Sequence, residues 1–131
     1  MHTFKKEERL CSTKLLDKLF HDGSSFLLYP FRLTWMPTTE QDASVQVVIQ
    51  VSKRRYKRAV DRNLIKRRIR ELYRIHKASH LYNFILAERP ICLGISYIGK
   101  EILLSTELEP KLLIALKTLV KEYQHAEGGA L

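Results

Sequence analysis

The stretch VSKRRYKRAVDRNLIKRRIREL, residues 51–72, decides how this chain is read. It opens on the end of an apolar alternation. It then becomes a run without Gly or Pro, rich in Arg, Lys, Leu and Ile, which predicts a helix over about 58–76. At 100° per residue, Ile65, Ile69, Leu72 and His76 line up as one apolar stripe. Lys66, Arg67, Arg70 and Arg74 fall on the far side with Asn63 among them, and Arg62 stands at the border. One face is core and the other is a ridge of cations.

Residues 53–77 hold twelve of the 23 Lys and Arg residues and only two acids, Asp61 and Glu71, a net +10 in that window. The remaining 106 residues, with eleven basic and twelve acidic side chains, sum to −1. A solvated helix face normally mixes signs so that i,i+4 pairs offset repulsion, and this one does not. A helix lying on a membrane would back its cations with a broad face of Trp, Phe and Leu, whereas this stripe has the width that docks on a protein core. The partner this predicts is a nucleic acid. Arg forks grip phosphate oxygens two at a time. Asn63 has two readings: a donor and acceptor for a base edge, sugar or phosphate, or a helix-start residue bonding its own backbone.

Outward from the ridge, Val45, Val47, Ile49 and Val51 alternate with Gln46 and Gln50 as one strand, and Phe31, Leu33 and Trp35 alternate with Arg32 and Thr34 as another. TTEQDAS between them predicts a hairpin pairing the two. A shorter strand is expected over 26–29, with Pro30 breaking it from the next. Before these, a helix over 13–21 starts at a Ser12 or Thr13 cap, carries Leu15, Leu16, Leu19 and Phe20 on one side and stops at Gly23. After the ridge come a helical turn or two over 79–89, a last strand in ICLGISYI, and a helix from Thr106 to Gln124 with a Thr106/Glu109 capping box.

At 131 residues and 45% hydrophobic, the chain supports one core. A single domain over 1–125 is expected, with AEGGAL, 126–131, as a flexible tail. No run is long and apolar enough for a membrane span, and MHTFKKEERL has charges where a signal peptide needs its apolar segment, so a cytoplasmic location is expected. Cys11 and Cys92 lack metal or redox spacing and read as reduced thiols. His76 and His80 form an HxxxH without a third ligand. There is no Gly-rich phosphate loop and no recognisable nucleophile setting, and the carboxylates are scattered. No active site of the protein's own is visible, and no organic cofactor is expected.

The run 51–72 resembles the signature of the bacterial ribonuclease P protein subunit: a strand ending in Ser-Lys-Arg, a basic turn with Ala, and an Arg-Asn-Arg-x-x-Lys-Arg helix. Arg9, Leu10, Phe20 and Gly23 match the family's N-terminal pattern. The resemblance implies an α/β (α+β) two-layer sandwich in the order α-β-β-β-α-β-α. Its four-stranded sheet would have a left-handed β-α-β crossover, as in the second domain of a small-subunit ribosomal protein. It also implies a subunit that binds the catalytic RNA of ribonuclease P and the 5′ leader of precursor tRNA, assisting leader removal while the RNA with Mg²⁺ hydrolyses the phosphodiester. Arg62, Asn63, Lys66, Arg67 and Arg70 match the RNA-binding helix, and Lys53 and Arg54 match the basic pair before it. Arg58 and Arg74 extend the same basic surface. Phe20, Arg32, Thr34, Gln50 and Ser52 fall where the family lines the leader cleft. The chain departs from the pattern at Leu64, where the second Arg of the triplet is usual, at Leu16, where an aromatic is common, and at Thr34, where Tyr is frequent. Two other classes fit the charge: a ribosomal or DNA-binding module that only holds nucleic acid, and a nuclease with its own active site.

Overall fold

The computed structural model describes residues 6–10, 12–38 and 43–129. Ser12 caps α1 (Thr13–Asp22) by accepting from the Leu15 N–H at 3.3 Å, so the first of the two expected caps is the one used. Then follow β1 (Ser24–Leu28), β2 (Phe31–Pro37), β3 (Val45–Val51), α2 (Ala59–His80), β4 (Ile91–Tyr97) and α3 (Ser105–Gly129). This is the order expected from the sequence. Of the expected tail, residues 126–129 are helical and 130–131 lie outside the described residues.

The sheet order is β1-β2-β4-β3, with β1–β2 and β2–β4 antiparallel and β3–β4 parallel. The hairpin expected between β2 and β3 is therefore not formed. β4 inserts between them, and β2 turns back on β1 instead, through the cis Tyr29–Pro30 bond. The physical reason is burial: β4 is buried at six of its seven positions, so it takes the centre of the sheet and pairs on both edges.

On one face of the sheet, Phe31, Leu33, Trp35, Val45, Val47, Ile91, Leu93, Ile95 and Tyr97 meet Ile65, Ile69, Leu72 and Tyr73 of α2 and Leu108, Leu112, Leu116, Leu119 and Tyr123 of α3. Each such large side chain contributes about 1.5–3 kcal/mol on burial. α1 covers part of the other face, where Leu19 packs with Leu10, Met36 and Cys92. Burial there pushes the Cys92 thiol up to about 11. Cys92 is buried, and Cys11 lies outside the described residues.

Two end details differ from the sequence reading. The α3 N-terminal bond forms two residues earlier, with Leu104 N–H donating to Glu107 at 3.1 Å, while Glu109 is engaged by His76 Nε2 at 2.8 Å. Between α2 and β4 the chain makes only a 3-10 turn, Tyr82–Phe84, before the Leu86 N–H donates to the Tyr123 hydroxyl at 3.1 Å.

Candidate nucleic-acid interface

The exposed face of the sheet and the ridge of α2 are brought together by register. Side chains alternate along a strand, so Arg32, Ser96 and Gln50, which pair across β2, β4 and β3, point to one face, with Leu27 opposite Arg32 on β1. The next row is Ser25, Thr34, Gly94 and Val48. Gly94 is small for a reason: a Cβ there would stand 2.8 Å from the Phe20 ring. The end of α1 thus lays Phe20 on the sheet as a wall, with 40% of its surface still open. Thr34 is buried and its hydroxyl lies 3.0 Å from Ser25 Oγ, so it forms floor rather than an accessible group. Ser52, just past β3, accepts from the Arg54 N–H at 3.1 Å and holds the turn that follows.

At the carboxyl ends of the parallel strands β3 and β4, Gln50, Ser52, Ser96, Arg55 and Lys66 line a cavity of about 390 Å³. Lys66 also joins Arg9 and Arg70 in a depression beside β3, and Asn63, Leu64, Arg67 and Arg70 on the outer side of α2. Gln50 and Ser52 at the end of β3 and the ridge residue Lys66, separate in the sequence, meet in this cavity, which Phe20, Arg32 and Thr34 do not line.

The ridge cations do not all face outward. Arg62 is turned in, its guanidinium donating to the carbonyls of Tyr56 at 2.7 Å and Lys57 at 2.8 Å. It holds the turn that leads into α2. Arg74 is engaged by Glu71, with Nε donating at 3.1 Å, and that contact lowers the pKa of the Glu71 carboxyl. Arg55 donates to the Ile98 carbonyl at 2.9 Å and Arg68 to the Leu103 carbonyl at 2.6 Å. Lys77 is buried and forms an ion pair with the buried Glu8. By contrast, Lys53, Arg54, Arg58, Lys66, Arg67 and Arg70 make no side-chain hydrogen bond or ion pair among the described residues. Asn63 is exposed and makes no bond to its own backbone, which sets aside the helix-start reading.

Three contributors were not singled out from sequence for the places they occupy. Arg9 reaches the Lys66/Arg70 depression because Leu10 N–H bonds Val47 O at 2.9 Å and the segment runs beside β3. Ser96 and Leu27 enter through strand register. Alternation in ICLGISYI could have flagged Ser96; nothing local could have flagged Arg9.

Among the described residues, no three His, Cys, Asp or Glu side chains come together as a metal would require, and the His76 and His80 rings stack edge to face with centroids 5.3 Å apart. The fold and interface define a small basic α+β domain that presents a groove and a cationic helix face to an anionic polymer. The ribonuclease P family model matches residues 4–101. The ribonuclease P protein component of Porphyromonas gingivalis is 38% identical over 93 residues, covering 70% of this chain and 66% of that protein. That of Petrotoga mobilis is 35% identical over 89 residues, covering 66% and 73%. Among solved structures, the RNase P protein of Staphylococcus aureus superposes with a TM-score of 0.69 at 24% identity, covering 86% of this chain and 94% of that one. The Thermotoga maritima protein gives 0.66 at 22% identity, covering 85% and 96%. The chain belongs to the ribonuclease P protein family.

Proposed function

We propose that the protein binds the catalytic RNA of ribonuclease P through the outward cations of α2 and takes the 5′ leader of precursor tRNA along the open sheet face. Family membership supports the partner class. The observation that carries the division of labour is the meeting in one cavity of Gln50 and Ser96, from the polar row that continues to Arg32, with Lys66, which makes no ion pair among the described residues. Arg32 and Lys66 would meet leader phosphates, Gln50 and Ser96 would hydrogen-bond sugar or base edges, and the Phe20 ring would stack on one base. Asn63, Arg67 and Arg70 would face the RNA subunit together with Arg54, Arg58 and Lys53. Arg62 acts through the turn it holds, and Arg74 through the end of the ridge.

Hydrolysis would fall to the RNA subunit, which would hold the Mg²⁺, as membership of the ribonuclease P protein family suggests. No helix of the described residues is long and apolar enough to cross a membrane. The test is reconstitution. Protein with Mg²⁺ alone is expected to leave precursor tRNA intact, and addition of the cognate RNA is expected to give cleavage at the mature 5′ end, with leader affinity reduced by Arg32→Ala. Cleavage by RNA-free protein would overturn the assignment.

A further inference from the structure

Away from the ridge, the end of α2, the 3-10 turn after it and one side of α3 enclose an apolar groove of about 500 Å³. Its floor is Phe84, Leu113, Ile114 and Val120, and Phe84 and Ile114 keep 44% and 48% of their surface open. Phe84 and Ile114 thus leave apolar surface open to solvent inside a concave site, the form in which helix-binding grooves present their anchors. Its rim is cationic. Lys117 and Lys121 stand one turn apart and are exposed, with no side-chain partner among the described residues. None of positions 113, 114, 118, 120, 124 and 125 is acidic, so this like-charged i,i+4 pair is left unrelieved on its own helix. The nearest acid along α3, Glu122, is turned to the Trp35 indole N–H at 2.9 Å.

We propose that this groove docks an acidic amphipathic helix of a partner protein. The lining residues of α3 run from Leu113 to Gln124 as a straight stripe, a length of about 16 Å, which fits three turns of a second helix better than a compact ligand. Leucine-type side chains of the visitor would enter between Ile114 and Phe84, and its flanking carboxylates would meet Lys117 and Lys121. An RNA strand is disfavoured because the floor residues Leu113, Ile114 and Val120 are aliphatic and offer phosphates and base edges no hydrogen bond. His80, on the rim, lies ten residues beyond Arg70, about 15 Å along α2, so the groove can be filled while the ridge holds RNA.

The experiment uses the full chain and a fluorescein-labelled helical peptide of about 16 residues with Leu at three- and four-residue spacing and Glu on both flanks. Anisotropy at physiological salt is expected to show saturable binding. The same peptide with Lys for Glu, or Ser for Leu, should bind about tenfold more weakly or worse. Ile114→Ser, and separately Lys117→Glu with Lys121→Glu, should each weaken the acidic peptide by about tenfold while circular dichroism and RNA affinity stay unchanged. Because both variants alter exposed positions, loss of folding in one leaves the other to decide. Absence of saturable binding, binding indifferent to both variants, a parallel loss of RNA affinity, or self-association that the variants abolish would each overturn the proposal.

Discussion

Along α2, the turns up to Arg70 and the turns from Glu71 to Lys77 are built from the same kinds of residue and do different things. In the first part Lys66, Arg67 and Arg70 make no ion pair among the described residues, and Glu71, the acid one turn beyond Arg67, is turned to Arg74 instead. In the second part Arg74 is engaged by Glu71, and Lys77 is buried against Glu8, which arrives from 69 residues away and also accepts from the Tyr82 hydroxyl at 2.5 Å. A cation on this helix is binding surface or scaffold according to what the rest of the chain brings to it. The scaffold end also fastens the N-terminal segment that carries Arg9 to the ridge end.

That contrast can be broken most strongly at Lys77. Lys77→Ala leaves Glu8 buried without its partner and should cost about 3–5 kcal/mol of stability in urea unfolding. A cost below 1 kcal/mol would place the pair in water. Arg62→Ala should come next. It removes two charge-assisted bonds to carbonyls and should cost about 1.5–3 kcal/mol, with RNA affinity falling through the loosened turn. An affinity loss with full stability would instead make Arg62 a direct contact.

Tyr82→Phe should cost about 1 kcal/mol near neutral pH. Burial raises the Tyr82 and Tyr73 phenols above their usual 10, so the folded state keeps protons that the unfolded chain releases. The stability they contribute is therefore whole below pH 10 and lost as pH climbs beyond it. Tyr82→Phe should flatten that alkaline decline, and a curve parallel to the unmodified protein's would contradict it. The smallest effect is expected at Leu64, half-buried on the outer side beside Asn63 and Arg67. Leu64→Arg should tighten RNA binding a fewfold without lowering the melting temperature. A drop of several degrees with no gain would mean that side of the helix is sealed.

The ridge was legible because Ile65, Ile69 and Leu72 fix the helix phase, and with it the direction of every cation between them. The β2–β3 hairpin was misread because the strand that separates them, β4, lies forty residues further on, and pairing across such a distance leaves no local mark. The same limit hid Arg9 and the Glu8–Lys77 pair, both of which exist only once the N-terminal segment lies beside β3. Residue type told which side chains could meet phosphate. It did not tell that Arg62 and Thr34 are spent on the protein itself.

We propose that the outward cations of α2 up to Arg70 are an RNA surface. It is tested most directly by the slope of log affinity for the cognate RNA against log salt, for the unmodified protein and for Lys66→Ala combined with Arg70→Ala. Unfolding is expected to stay unchanged, and the slope to become shallower by about 0.7 to 0.9 for each lost phosphate contact. A slope and affinity equal to those of the unmodified protein would contradict it.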